Sequence, residues 1–287
     1  MKWNLIPNDL ELKWKSNYNY LELKWKSNYN YLELKMKSNY NYLELKMKSN
    51  FKYEWIHSAI LLFFSRVLYQ MTWRVLDLFS GTDSVKKACV GLSFFGEVIS
   101  LDLAKADINI DIMEWDYKQY PPGYFHVVWA SPCCTCFSNL KRCNIGRFGI
   151  TAESIEADIS NIGLPMLRRT EEIIKYFKPK FYFIENPQTA RTKDYVALNP
   201  GDFFDVDYCM YGKPFRKRTR IWTNLKSFEP LLCDKNCGSF DGKKHIQQVN
   251  SKGGGSNQTI TGNRTFRSEV PVPLIRSLFY GVIRAAI

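Results

Sequence analysis

Residues 125–138, FHVVWASPCCTCFS, decide how the chain is read. Val127–Ala130 is a run of β-branched and aromatic residues, the composition of a buried strand, and Pro132 stops it. The strand therefore ends by presenting Cys133, Cys134 and Cys136. In an open α/β sheet the carboxyl ends of the strands line the ligand crevice, so a thiol just past a strand end sits where chemistry is done. On this run alone, core packing or a metal cluster stands level with a nucleophile.

Working outward towards the N-terminus, residues 74–79, RVLDLF, predict a first buried strand broken at Ser80-Gly81, and residues 82–92 predict a helix. Strand, glycine turn and helix together make a crevice faced by helix N–H groups. The next strand, 97–101, ends at Asp102, about twenty residues after the glycine turn, where an acid can accept from both hydroxyls of a ribose. NIDIMEWD follows, with Asp111 able to accept from an adenine amino group or to serve as a solvated loop acid. Towards the C-terminus, 141–147 is a basic loop. Residues 152–177 predict an amphipathic helix or helix pair interrupted near Gly163-Leu164-Pro165 and ended by Pro179. A strand over 181–184 then delivers Glu185-Asn186-Pro187, so a second reactive group stands at a second strand end. In 211–224, YGKPFRKRTRIWTN, the cluster of charge is most simply a solvated run, but Ile221-Trp222 argues for an extended segment in which Arg218 and Arg220 share a face. Residues 251–264 predict a flexible loop, and 270–287 a closing helix begun by proline.

Outside this framework, residues 10–53 hold four copies of one eleven-residue unit, LELKWKSNYNY twice, then LELKMKSNYNY and LELKMKSNFKY. Apolar residues alternate within each unit, as at Leu10, Leu12 and Trp14, which is strand spacing, and Ser-Asn marks a turn. Strands or hairpins are expected, outside the catalytic part; interleaved Lys, Trp and Tyr also suit single-stranded nucleic acid. The division expected is a basic extension over 1–70 and one domain over 71–287. Lys and Arg number 40 against 28 Asp and Glu, divided as 11 against 6 in residues 1–70 and 29 against 22 beyond. A basic surface throughout favours a polyanion partner. Residues 55–73 are too short in apolar core and too charged, with His57 and Arg66, to span a membrane, and an amphipathic helix is expected there. Of eight cysteines three, Cys133, Cys134 and Cys136, crowd into four residues, which makes a poor disulfide framework, and with no cleavable leader at the start the expectation is an intracellular protein with reduced thiols.

Taken in order, DLFSGT, the acid at Asp102, NIDI, SPCCTCFS, IENP and RKRTRIW resemble the motifs of the cytosine-5 DNA methyltransferases, and look most like the short enzymes of large DNA viruses and phages. The resemblance covers about residues 72–287 and leaves the repeats out. It implies an α/β fold, a Rossmann-like, mostly parallel sheet that binds S-adenosylmethionine at its strand ends, with a small DNA-facing region. It further implies double-stranded DNA as partner, a monomer, the cytoplasm or nucleus of a host cell if the source is viral, and leaves room for a companion restriction endonuclease. Asp77, Phe79, Ser80, Gly81 and Thr82 would border the methionine part of the cofactor, Asp102 its ribose, and Asp111 with Ile112 its adenine.

By the same resemblance a thiolate adds to carbon 6 of cytosine so that carbon 5 becomes nucleophilic enough to take a methyl group. The pattern Pro-Cys-x-x-Phe-Ser fits Phe137 and Ser138 only if the nucleophile is Cys134, with Cys133 replacing a second proline after Pro132. Glu185 would bond the base at nitrogen 3 and the amino group, Asn186 and Pro187 would hold its loop, and Arg218 and Arg220 would hold the base oxygen and Glu185 and lower the thiol pKa. The base must be flipped out of the duplex. Three departures stand out: Asp83 where the family has glycine, His126 where an acid begins the strand, and Arg216 in place of glutamine. Together they keep a degraded, non-catalytic DNA-binding relic as the alternative. The region that reads DNA sequence in the family is short here, about 226–265; its Cys233, Cys237 and His245 could be three zinc ligands, but a fourth is not evident and loop cysteines are the default, so no metal is assigned.

Overall fold

In the computed structural model, residues 72–247 and 266–286 are described in full, 264–265 as helix backbone, and 10–15, 20–27, 30–37 and 43–48 as backbone strands. The chain divides into two compact units, Met1–Gln70 and Met71–Ile287. In the first, β1 (Leu10–Lys15), β2 (Tyr20–Ser27), β3 (Asn30–Lys37) and β4 (Leu43–Lys48) form an antiparallel meander in sequence order. The register is set by the repeat itself. Leu12 pairs with Leu23, Leu23 with Leu34 and Leu34 with Leu45, so every copy meets the next about its own central leucine. Reflection about that leucine places Glu11 opposite Lys24 and Lys13 opposite Glu22, the opposite-charge pairing that favours adjacent strands.

The second unit is built on a seven-stranded sheet of order β10-β11-β9-β8-β5-β6-β7. Its strands are β5 (Trp73–Leu78), β6 (Phe95–Asp102), β7 (Ile108–Asn109), β8 (Val127–Ala130), β9 (Phe181–Pro187), β10 (Phe203–Asp207) and β11 (Arg218–Thr223). β5 to β9 are mutually parallel, and β11 lies antiparallel between β9 and β10. The fold is thus the α/β class with a mostly parallel sheet. Parallel strands bury both faces, which is why they read as continuous apolar runs. Val75, Val127, Trp129 and Phe183 face one core, closed by the helix Val272–Ala286, while Leu76, Leu78, Val128 and Ile184 face the other, closed by the helix Leu164–Phe177.

Several local expectations change. The helix read over 82–92 is only Ser84–Cys89, because the chain turns at Gly91 with φ +80. The helical stretch 152–177 is interrupted where expected, running Ala152–Asp158, a π-turn Ile159–Gly163 and then Leu164–Phe177. The basic loop begins with a short helix, Asn139–Arg142. β10 was not legible, since FFDVD carries two acids and is partly exposed. The helix expected over 55–73 falls outside the described residues as far as 71, and the loop expected over 251–264 as far as 263. Among the described residues no helix is long and apolar enough to cross a membrane.

Gly163 is where the helical layer meets the cysteine turn. A Cβ there would lie 2.9 Å from Cys136 Cβ and 2.9 Å from the Phe137 ring, too close for any side chain. Gly163→Ala is expected to lower stability by about 1–3 kcal/mol through overpacking, read as a fall in Tm.

Candidate active site

The strand order reverses between β5 and β8: the chain leaves β5 towards β6 on one side and returns to β8 on the other. A crevice opens at the carboxyl ends of such a switch point. Here it is a cleft of about 340 Å³ that Asp77, Phe79, Gly81 and Thr82 enter from β5, Cys133 and Cys134 from β8, and Glu185, Asn186 and Pro187 from β9. Because β11 runs the other way, its start lies at this same edge and brings Lys217 into the cleft wall. β10 runs with β9, so the residue after its end, Tyr208, arrives there too.

These residues are joined by a short chain of bonds. The Asn186 side-chain amide donates to the Pro132 carbonyl at 2.8 Å and its oxygen accepts from Thr192 at 2.8 Å, which ties the β9 end to the cysteine turn. Buried Glu185 accepts from the Tyr208 hydroxyl at 2.8 Å and faces Lys217 Nζ at 3.5 Å. Burial, then the charge of Glu185, holds the Tyr208 hydroxyl well above its ordinary pKa, so it stays a donor. Burial likewise pushes the Cys134 thiol up, and Lys217 opposes that shift. Cys133 is exposed, with its sulfur 3.4 Å from the Thr135 hydroxyl, whereas Cys134 lies deeper, beside Glu185 and Lys217. Cys136 is buried in the core beneath.

The sequence-derived set divides accordingly. Asp77, Phe79–Thr82, Pro132, Cys134, Glu185, Asn186 and Pro187 line one cleft. Asp102 stands behind its rim, accepting from the Gly81 and Leu103 amides at 2.9 and 2.7 Å. Asp111 caps the next turn through the Met113 amide, Ile112 is buried in the core, and Ser138 is the residue before the short helix, its carbonyl accepting from the Lys141 amide. Arg218 and Arg220 are not brought to Glu185. Arg220 forms a two-pronged bond with Asp205 at 2.7 and 2.8 Å and lies 3.6 Å over the Phe203 ring, while the Arg218 side chain is 46% exposed with Asp207 3.8 Å away. Their shared face was read correctly, but it is the alternate face that turns inwards, with Thr219 buried and the Lys217 side chain only 13% exposed. Lys217 and Tyr208 were missed. The signal for Lys217 lay in strand parity: it falls in step with Thr219 and Ile221, which are buried in β11.

The three departures find physical settings. Asp83 has φ +56, in the left-handed region where glycine is easiest and Asp is tolerated. Lys86, which could have offset its charge, is instead bonded to Asp107 at 2.8 and 3.0 Å. His126 accepts the Arg74 amide at 3.0 Å and stacks on Trp73, at the far end of β8 from the cysteines. Arg216 is paired with buried Asp207 at 2.9 Å.

Strand ends that offer a thiol, a carboxyl group and a cation beside a glycine turn define an enzyme cleft of the α/β class. Over 215 residues the chain is 42% identical to the "Probable DNA (cytosine-5)-methyltransferase" of Frog virus 3 (isolate Goorha), a match spanning 71% of this chain and 98% of that one. The chain belongs to the DNA (cytosine-5)-methyltransferase family. No family model matches the sequence. Among solved structures it is similar to the methyltransferase EhMeth of Entamoeba histolytica, at 16% identity and TM-score 0.41 over 56% of each chain. A SAM-dependent methyltransferase from Archaeoglobus fulgidus matches at 15% identity and TM-score 0.28, over 54% of this chain and 72% of that one.

Two measurements test the electrostatics. Lys217→Gln removes the cation that opposes burial, so alkylation of Cys134 by iodoacetamide should shift to higher pH than in the unaltered protein. Asp77 is buried, and desolvation, followed by the charges of Asp83 and Asp102, raises its pKa well above the ordinary carboxylate value. A raised folded-state pKa means that stability is full below the unfolded value of about 3.9 and is lost as pH climbs towards the folded one. Asp77→Asn should therefore match the parent in Tm near pH 4 and exceed it increasingly towards pH 8, in the absence of ligand.

Proposed function

We propose that the chain transfers a methyl group from S-adenosylmethionine to carbon 5 of cytosine in DNA, through a covalent adduct of Cys134 with a flipped base. The observation that carries this reading is the convergence of Cys134, Glu185 and Lys217, with Tyr208 bonded to Glu185 from behind, on one cleft that continues to the glycine turn of β5. The cofactor end of the cleft fits its ligand: Asp77 Oδ2 and Ser80 Oγ are buried there with no hydrogen-bond partner among the described residues, so polar groups of a ligand would satisfy them. Asp77 and Phe79 to Thr82 would hold the methionine part, Asp102 the ribose through its remaining lone pairs, and the turn of Asp111 and Ile112 the adenine. S-adenosylmethionine supplies an electrophilic methyl group when bound.

The Cys134 sulfur forms a bond to carbon 6 as a thiolate, and Lys217 favours that ionisation against burial. Electrons displaced from the ring double bond are stabilised towards nitrogen 3 and the base oxygen, which Glu185 and Lys217 would bond. Tyr208 orients Glu185 for that contact, and Asn186 holds the turn so that thiol and carboxyl keep their separation. After methylation a base takes the proton from carbon 5 and the Cys134 thiolate leaves carbon 6. In this scheme Arg218 and Arg220 brace the β10–β11 hairpin through Asp207 and Asp205. Beyond the cysteine turn, the exposed residues Arg142 and Arg147, with Leu140 and Ile145 beside them, offer charge and apolar surface for the backbone and the gap left by a flipped base.

DNA carrying 5-fluorocytosine traps the adduct, because fluorine at carbon 5 blocks the final elimination. Incubated with S-adenosylmethionine and mixed-sequence fluorocytosine DNA, the protein should form a denaturant-resistant complex. Cys134→Ser should abolish it, and Cys133→Pro should retain it. A dead Cys133→Ser beside an active Cys134→Ser would reverse the assignment, and no transfer by a folded, cofactor-binding protein would leave a DNA-binding relic.

A further inference from the structure

The stretch 226–247 follows β11 and contains neither helix nor strand, only the isolated bridges Phe215 to Gln247 and Phe240 to His245. Leu231, Leu232 and Ile246 point to solvent, so little apolar burial holds this stretch in shape. At its centre, Cys233, Cys237 and His245 meet a residue from elsewhere, Cys209, on the turn after β10. The four ligand atoms all lie within 4.8 Å of one another, and His245 Nε2 is 3.4 Å from Cys233 Sγ and 3.3 Å from Cys237 Sγ. With bonds of about 2.3 Å to sulfur and 2.0–2.1 Å to nitrogen, the S···N edge of a zinc tetrahedron is roughly 3.5 Å. All three cysteines are unpaired thiols, and an odd number of them cannot be satisfied by disulfides.

The surroundings serve the sulfur atoms. Backbone N–H groups of Lys235 and Cys237 are directed at the Cys233 sulfur, and Lys235 has φ +76, the left-handed turn that brings the chain back towards it. The Cys233 amide donates to Asp207 at 2.8 Å, and Asp207 in turn pairs with Arg216, so the residue standing where the family has glutamine belongs to this cluster. The Phe240 ring packs edge-on against His245 and fixes the plane of the imidazole. Cys209 and Cys233 are buried, which matches a closed, structural site and not one with an open coordination position.

We propose that Cys209, Cys233, Cys237 and His245 form a structural zinc site that fastens the stretch 226–247 to the β10–β11 edge of the sheet. Cys209 directly follows Tyr208, the residue that holds Glu185, so the metal also anchors the turn behind the active site.

The test uses the full chain, purified without chelator. Elemental analysis should find about one zinc per chain. Exchange for cobalt(II) should give the intense visible bands of a tetrahedral ion and a thiolate-to-cobalt band in the near ultraviolet. Cys209→Ser should weaken zinc retention more than about a hundredfold, beyond the loss typical of second-sphere changes. It should also reduce the thiolate band by about a third, while Cys143→Ser, at an exposed thiol outside the cluster, changes neither. If Cys209→Ser does not fold, His245→Cys keeps four ligands and should retain the tetrahedral bands with a stronger thiolate band. Zinc-free protein whose Tm is unmoved by added zinc, a weak octahedral cobalt spectrum, or Cys209→Ser behaving like Cys143→Ser would overturn the proposal.

Discussion

The arrangement depends on one constraint: β5, β8 and β9 are parallel neighbours, so their carboxyl ends must emerge at the same edge. Nothing else places Asp77, Cys134 and Glu185, separated by over a hundred residues of chain, around one space. The antiparallel β11 adds a reversal. A strand inserted against the grain offers its beginning where the others offer their ends, and that is how Lys217 arrives beside Glu185.

Within this frame several buried polar groups tie separate segments of the chain together. Asn186 ties the cysteine turn to the segment after β9, alongside the Arg191 amide bonded to the Phe137 carbonyl, and its loss would strand the Pro132 carbonyl and the Thr192 hydroxyl. Leaving such buried groups unsatisfied costs about 1–3 kcal/mol each, a large share of a domain's net stability. Around the thiol the balance is electrostatic: burial favours the neutral form and a single ammonium favours the reactive one. An arginine with its guanidinium committed to Asp205 cannot play that part, whereas a lysine with a flexible stem can.

Most of the catalytic unit was legible because parallel strands write themselves as short apolar runs closed by Gly, Pro or a polar residue. The runs ending at Leu78, Ala130 and Ile184 needed no pairing information to be found. The pair Arg218 and Arg220 went differently, because sequence reveals that two residues share a face but not which face is turned inwards. That choice was made by the pairing of Ile221 with Glu185 and by the burial of Thr219, both facts of the assembled sheet. Cys209 was invisible for a related reason: it lies 24 residues before Cys233, beyond any ligand-spacing pattern, and only the return of the chain after β11 brings the two together. β10 escaped because its two acids face partners, Arg220 and Arg216, that local sequence does not place there.

The leucine ladder of the N-terminal unit has a consequence for how the gene can change. Since each strand pairs with an offset copy of itself, removing or adding a block of eleven codons leaves every surviving rung with the partner chemistry it had before. Slippage during replication of such near-identical blocks would therefore alter the width of the sheet while sparing its internal pairing. Related isolates could differ in repeat number, each length remaining a valid sheet.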